Sequence, residues 1–462
     1  MTVAEAAQTL ERNAERVRQV ARSLASKGVR AVAITIVDNA GVTRVKTFPT
    51  SRLERAARWG IGLTPVFAVF MVNDAITASE PVAGPVGDLR LILDPDGLQM
   101  LPGQPGWAWA PADQYTQEGE PFECCQRTFL RSMVGRAAES GLEVLAGCEL
   151  EWFLGREENG AVLPATTGPG YGAAVLAQLS DYARDLVAAF EDHGAGVEQL
   201  HPEYAPGQLE LSLSHRPPLA AADLNVMARQ VIRSVSTRFG WQASFSPVVV
   251  PGQVGNGGHV HLSPWREGQN LLAGGVGPYG MSPEGESFMA GILAELPALL
   301  AVGAPSVASY LRLVPSHWAG VYACWGRENR EAAVRFITGM VGDREGAANL
   351  EVKCFDQSAN PYLAIGALLA AGLSGVERSL RLPPEVADDP AAHPPEELEA
   401  LGVRRLPQSL AESLDHLERS GVLREAMGAR LHQAFVAVRR AELEAFGSLD
   451  AGAIAAAHRF RY

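Results

Sequence analysis

Four short segments place carboxylates and histidines at alternate positions of strand-like sequence: Glu149-Leu150-Glu151, Glu210-Leu211-Ser212, His259-Val260-His261 and Glu351-Val352-Lys353. Successive strand residues point to opposite faces, so each segment turns its polar pair one way and its leucine or valine the other. The chain must therefore build a sheet with one packed face and one face crowded with charge. Clustering that many carboxylates is unfavourable unless a cation neutralises them, and glutamate with histidine is an oxygen and nitrogen ligand set suited to Mg²⁺ or Mn²⁺. Any single pair is commonplace on a solvated strand. Together the four predict a sheet floor that binds divalent metal.

Other bounds come from size and charge. The 462 residues allow about three domains at roughly 150 residues each. With 47% hydrophobic and 20% charged residues the chain has the composition of a folded globular protein, not a disordered one. A formal net charge of −13 argues against nucleic acid or an anionic membrane surface as the partner, since both are bound through basic patches; the expected partners are small molecules. The five cysteines (Cys124, Cys125, Cys148, Cys324, Cys354) form no Cys-x-x-Cys pair and suit a reducing cytosol without zinc. The N-terminal stretch is charged and amphipathic, with no apolar core of a signal peptide, so a cytoplasmic location is expected. Apolar stretches at 290–308 and 359–373 are interrupted by Glu295, Pro297, Pro305 and Pro361 and read as buried helices.

After a first amphipathic helix, two apolar runs flank the turn-like Asp38-Asn39-Ala40-Gly41 and predict a β-hairpin. Residues 101–121 are rich in proline, glycine and polar residues and mark a domain boundary, placed near Ala110, dividing the chain into 1–110 and 111–462. Beyond it, helical patterns at 127–140, 176–193 and 220–239 alternate with the polar-faced strands, as in an α+β domain whose helices cover one sheet face. Residues 390–462 read mostly as charged amphipathic helix, with 451–458 as a docking tail.

Two further segments carry chemistry. Gly255-Asn256-Gly257-Gly258 leads into the histidine strand, and such a loop permits close backbone approach to a ligand. Arg327, Arg330 and Arg335 lie within nine residues; their forks suit carboxylate and phosphate oxygens and neutralise charge on a moving phosphoryl group. Salt bridging with Glu328 and Glu331 is the plainer alternative.

Taken in order, Gly-x-Glu149-x-Glu151-Trp-Phe-Leu, Glu203-x-x-x-Gly-Gln-x-Glu210, Gly255-x-Gly-x-His259-x-His261-x-Ser263, Asn-Arg330-x-x-x-x-Arg335, Glu351-x-Lys353 and Ala-Asn-Pro-Tyr-Leu closely resemble glutamine synthetases, from about Val29 to the end of the chain. The resemblance implies an N-terminal β-grasp domain and a catalytic domain with an antiparallel sheet and helices on one face. It implies ATP as cosubstrate and two or more Mg²⁺ or Mn²⁺ ions, one held by Glu151, Glu203 and Glu210, the other by Glu149, His259 and Glu351. His261, Ser263 and Arg335 would fall at nucleotide positions, Arg330 at the transferring phosphoryl group, Arg312 at the acid substrate's carboxylate, and Gly255 and Lys353 beside it. Glutamate, an amine and ATP would be the substrates, and the assembly a dodecamer of two stacked hexameric rings with each site between subunits.

The chain also departs from the family. The Asp-Gly-Ser-Ser loop that helps bind ammonium is replaced by Leu63-Thr64-Pro65-Val66-Phe67, and the carboxylate of Pro-Gly-Tyr-Glu-Ala-Pro by Trp318 in Pro315-Ser316-His317-Trp318-Ala319-Gly320. An ammonium ion beside Phe67 and Trp318 would lose hydration without ionic compensation, whereas an organic amine would gain about 25 cal/mol per Å² of apolar area buried. With those two carboxylates gone, the amine's proton falls to a remaining group such as Glu203, or the amine arrives already neutral at alkaline pH. Glu351-Val352-Lys353 keeps the charge of the family's Glu-x-Arg but loses its fork, and Asn349 stands where an arginine is usual. These features predict a ligase forming a γ-glutamyl amide with an organic amine preferred over ammonia. The alternatives are a glutamine synthetase using ammonia and a non-catalytic oligomer that kept the fold.

Overall fold

The computed structural model describes residues 3–79, 82 and 86–462, with side chains from residue 11 onward. The predicted hairpin is present: Ala31–Val37 and Thr43–Pro49 pair antiparallel, in register from Ala31 opposite Pro49 to Val37 opposite Thr43. Gly41 in its turn has φ 81°, and a Cβ there would collide with the Ser358 carbonyl of the second domain, so the turn demands glycine twice over. Ala31–Val37 is buried on both faces because it serves two cores. Val32, Ile34 and Ile36 pack with Val17, Leu24 and Leu53 of the helices Val3–Ser26 and Leu53–Trp59, while Ala33 and Val37 join the core of the second domain.

The central strand of this first sheet, Trp107–Tyr115, lies parallel to Ala31–Val37 and antiparallel to Leu89–Leu93. Ala110, where the sequence places the domain boundary, falls in the middle of that strand. The proline- and glycine-rich residues 101–106 are the turn between Gln99–Met100 and Trp107–Tyr115, which pair with each other. Turn composition alone does not separate a hairpin from a linker.

The second sheet has eleven strands around the 16-residue strand Glu143–Glu158. Gln208–Leu213 pairs antiparallel on one side, with Glu210 opposite Glu151 and Ser212 opposite Glu149. Val260–Arg266 pairs antiparallel on the other and also pairs with Asn349–Val352, setting His261 opposite Glu351. The sheet is antiparallel throughout that floor, but Tyr322–Arg327 and Ala332–Ile337 run parallel, so the connection 328–331, which carries Arg330, runs back along the strand instead of turning a hairpin. Leu150, Leu211, Val260 and Val352 point to the packed face and are buried against helices Gln126–Glu139, Pro218–Arg238, Pro283–Gly303 and Pro361–Glu377.

Pro283–Gly303 has the length and apolarity of a membrane span, despite Glu295 and Pro297, but most of it is buried in this core. The region predicted as one helix at 176–193 is two, Ala173–Gln178 and Ser180–Glu191. The C-terminal helices Leu410–Arg419, Gly421–Phe446 and Ala451–His458 close the fold, and Tyr462 is buried with its carbonyl accepting from the Phe245 amide. Between the domains Arg127 is enclosed by three aspartates, at 2.7 Å from Asp94, 3.0 Å from Asp113 and 2.8 Å from Asp223. All five cysteines are free and buried.

Candidate active site

The strand register delivers the polar side chains to one place. His259 Nδ1 lies 2.9 Å from Glu149 and 3.4 Å from Glu351, and His261 Nε2 lies 3.3 Å from the other oxygen of Glu149. Beyond Glu210, His201 lies 3.4 Å from that carboxylate and 3.6 Å from Glu203. Three overlapping sets result, Glu149 with Glu210 and His259, Glu149 with His261 and Glu351, and His201 with Glu203 and Glu210, each offering ligand atoms within 4.8 Å of one another. Glu151 stands beside them, 3.8 Å from His259 Nε2, and its other oxygen accepts from the Gly257 amide at 2.8 Å and from Gln208 Nε2 at 2.9 Å. A Cβ on Gly257 would press on His259, Arg312 and Glu151 at once, which is why this loop must be glycine to enter the site.

The electrostatics differ from one end of the floor to the other. Burial and the neighbouring Glu151 push the Glu203 carboxyl up to about 7, and burial also raises Glu210. Its hydrogen bond with Glu210 lifts His201 to about 9. Burial opposes charge on His261, but Glu149 and Glu351 outweigh it and raise the imidazole to about 9. Glu351 goes the other way, to about 2, because Lys353 and the two histidines overcome its burial. Lys353 Nζ and Arg335 Nη1 each lie 3.0 Å from Glu351. His261 Nδ1 donates to Asn349 Oδ1 at 2.9 Å, so the asparagine found in place of the family's arginine orients the ring. The Nε2 atoms of His259 and His261 are buried without a hydrogen-bond partner. Imidazole nitrogens among carboxylates fit divalent cations, His259 together with Glu149 and Glu210, and His261 together with Glu149 and Glu351.

Two cavities meet over this floor. One, of about 750 Å³, is lined by Glu203, Gly255, Arg312, Trp318, Arg330 and Lys353 among others. Arg312 is buried in its wall, with one terminal nitrogen donating to the Lys353 carbonyl and the other unpartnered. The second, of about 650 Å³, holds Ser263, His215 and Asp343. Glu149, Gln199 and His261 border both. Arg335 faces the first cavity and not the second, while Ser263 faces only the second and accepts from Trp265 Nε1. Phe67 is not brought to either; within one chain it sits in the single-turn helix Pro65–Val69 of the first domain, 4.8 Å from the Phe70 ring. Trp318 is at the mouth, edge-to-face with Tyr204 at 5.5 Å.

Three residues of the site escape the strand pattern as it was read. His201 alternates with Glu203 across Pro202, the same signal as the four leading segments. Gln208 follows the glycine of its turn and bonds Glu151. Tyr171, which donates to Glu203 at 2.7 Å and lies against His201, comes from a loop where no periodicity marks it.

A two-domain chain of this topology, with glutamates and histidines facing each other across the central strand and arginines at the rim, has the architecture of a metal-dependent ligase. The glutamine synthetase N-terminal domain matches residues 14–120 and the glutamine synthetase catalytic domain residues 123–451, and the chain belongs to that family. It is 52% identical over 451 residues to the gamma-glutamylpolyamine synthetase GlnA3 of Streptomyces coelicolor, covering 97% of each chain. The glutamine synthetase of Methanocaldococcus jannaschii is 31% identical over 442 residues, covering 93% of this chain and 95% of the relative. Among solved structures, a novel glutamine synthase homolog superposes with a TM-score of 0.84 at 32% identity, covering 94% and 99% of the two chains. A GmaS/ADP complex does so with 0.81 at 30% identity, covering 93% and 96%.

Proposed function

We propose that the protein is an ATP-dependent ligase joining the γ-carboxylate of glutamate to an organic amine, with a di- or polyamine as the preferred class. The observation that carries this reading is the aromatic mouth of the first cavity, where Trp318, packed edge-to-face on Tyr204, stands in the place of the family's ammonium-binding carboxylate. The identity to a gamma-glutamylpolyamine synthetase supports the amine class.

Glu149, His259 and Glu351, and Glu203, Glu210 and Glu151 with His201 beside them, would hold the Mg²⁺ or Mn²⁺ ions. Such ions orient the triphosphate and offset charge on its non-bridging oxygens. Arg312, with an unpartnered nitrogen facing the cavity, receives the acid's α-carboxylate, and Gly255 and Lys353 shape that end. Arg330, exposed on the cavity wall, would offset the charge that develops as the γ-phosphoryl of ATP passes to the glutamate oxygen and ADP leaves. His261 and Ser263 border the second cavity, assigned to the nucleotide, with Arg335 next to it. The amine nitrogen then bonds to the acyl carbon, phosphate leaves, and the nitrogen's proton passes to Glu203, whose carboxylate lines the same cavity. A dodecamer of two hexameric rings in the cytoplasm completes the reading, and in it Phe67 would reach a cavity only from a neighbouring subunit.

The test is kcat/KM for ADP release with glutamate, ATP and a panel of ammonium, methylamine, isopropylamine, ethanolamine, putrescine and aniline. A single buried methylene is worth about 0.8 kcal/mol, so a four-carbon amine is expected to exceed ammonium by about a hundredfold. If ammonium is the best of the panel, the aromatic mouth is structural and the enzyme is an ordinary glutamine synthetase.

A further inference from the structure

We propose that Glu331 and the indole of Trp318 form a second cation subsite at the cavity mouth, which holds the far ammonium of a diamine while its near amine reacts; this rests on the amine reading above. The loop 315–320 is built unusually. Ser316, Trp318 and Gly320 all have positive φ, at 58°, 55° and 61°. For a tryptophan that conformation is costly and persists only where the surroundings fix it. Two hydrogen bonds do so here: Ser316 Oγ donates to Asp389 at 2.8 Å, and the Trp318 amide donates to Glu331 Oε1 at 2.7 Å. The indole is left 47% exposed, against a Tyr204 that is 52% exposed.

Glu331 differs from the other carboxylates of this rim. Glu328 pairs with Arg335, and Glu351 with both Arg335 and Lys353. Glu331 is partly buried, yet among the described residues no lysine, arginine or histidine nitrogen comes within ion-pair distance of it. The charged or titratable groups that face it are Asp389, Lys353 and His317. Lys353 is committed to Glu351 at 3.0 Å, and His317 Nδ1 is turned to the Pro315 carbonyl at 2.8 Å. Burial, with Asp389 adding to it, raises the Glu331 carboxyl above its ordinary range, as expected of an anion lacking a counter-ion.

Lost from the loop itself at position 318, a carboxylate thus returns from the strand connection 328–331 and sits against the loop's backbone. Glu331 is bonded to the backbone of the residue whose indole lines the cavity, and a carboxylate and an indole within reach of one alkylammonium offer it ionic and cation–π attraction together. The first cavity contains Trp318 and Glu203 in one wall system, so one end of a diamine can lie at the reacting centre while the other lies at the mouth.

The experiment compares kcat/KM for putrescine and for butylamine, which share four carbons and differ in the second ammonium. Glu331→Gln removes the charge but keeps an acceptor for the Trp318 amide. The putrescine-to-butylamine ratio is expected to fall about tenfold, with butylamine turnover and the KM values for glutamate and ATP unchanged. Glu331→Asp is expected to restore part of the ratio, and Trp318→Leu, which leaves Glu331 in place, to lower it as well. An unchanged ratio in Glu331→Gln overturns the subsite, and so does an equal loss for both amines, which would make Glu331 a support of the loop only. If Glu331→Gln does not fold, Trp318→Leu decides in the same way. Failure of the amine reading itself is distinguishable, because the wild-type enzyme would then turn over ammonium and neither amine.

Discussion

Two clusters of buried charge lie within this molecule, and they are built to opposite ends. At the domain junction Arg127 is surrounded by Asp94, Asp113 and Asp223, with Arg131 bridging to Asp94 and Asp113 and the Tyr362 hydroxyl donating to Asp223. The Arg127 guanidinium donates to all three carboxylates, and against the cost of burial it holds the Asp94 carboxyl below its ordinary range. On the sheet floor, among the described residues, Glu203 and Glu210 have no arginine or lysine within ion-pair distance, only His201, and both carboxyls are raised. A cluster that compensates itself holds the fold together. One that leaves two of its glutamates without an arginine or lysine has ligand atoms free for a cation.

The sharpest way to break that contrast is at Glu351. Removing it should lower metal-dependent ADP release by about a thousandfold or more, because a clamp on the transferring phosphoryl is lost. Glu351→Gln serves beside Glu351→Ala, since Lys353 and Arg335 would otherwise be left facing a void. The same variants should lose the rise in melting temperature that Mg²⁺ or Mn²⁺ gives the wild type. Full turnover in either variant would place the metals elsewhere.

Arg127→Met attacks the other cluster. It leaves Asp223 without its cation and Asp94 and Asp113 with Arg131 alone, and should cost about 3–5 kcal/mol in denaturant unfolding, with the turnover of the remaining folded enzyme little changed. Lost turnover at unchanged stability would erase the distinction between the two clusters. The smallest effect is expected for Arg330→Lys, which keeps a charge at the cavity wall but loses the fork. Here kcat should drop about ten- to a hundredfold while the nucleotide KM barely moves. A change confined to KM would make Arg330 a ground-state nucleotide contact.

Much of the floor was legible because strand alternation is a property of the backbone: once Leu150, Leu211, Val260 and Val352 are assigned to a core, their neighbours must face the other way. Register was not legible, and it is register that sets Glu210 opposite Glu151 and His261 opposite Glu351. Nor was the domain boundary, since 101–106 turns within a sheet. Arg327, Arg330 and Arg335 read as one group of forks, yet the parallel strand pair separates them: Arg327 stacks on Tyr279, Arg330 faces the cavity, and Arg335 binds Glu351. Phe67 and Trp318 were paired by analogy with an assembled site, and a single chain keeps them in different domains. Glu331 was legible only as a surface salt-bridge partner, because its lack of a cation is a fact of three-dimensional placement.

Glu149, Gln199 and His261 are the shared border of the two cavities. On the proposed assignment of the nucleotide to one cavity and the amine to the other, nucleotide and amine would not queue at the same door, and an amide product could depart from one side while ADP still plugs the other. Kinetic order then depends on which doorway clears first. On that assignment glutamate would lie between the two, and its release is the one that either plug could delay.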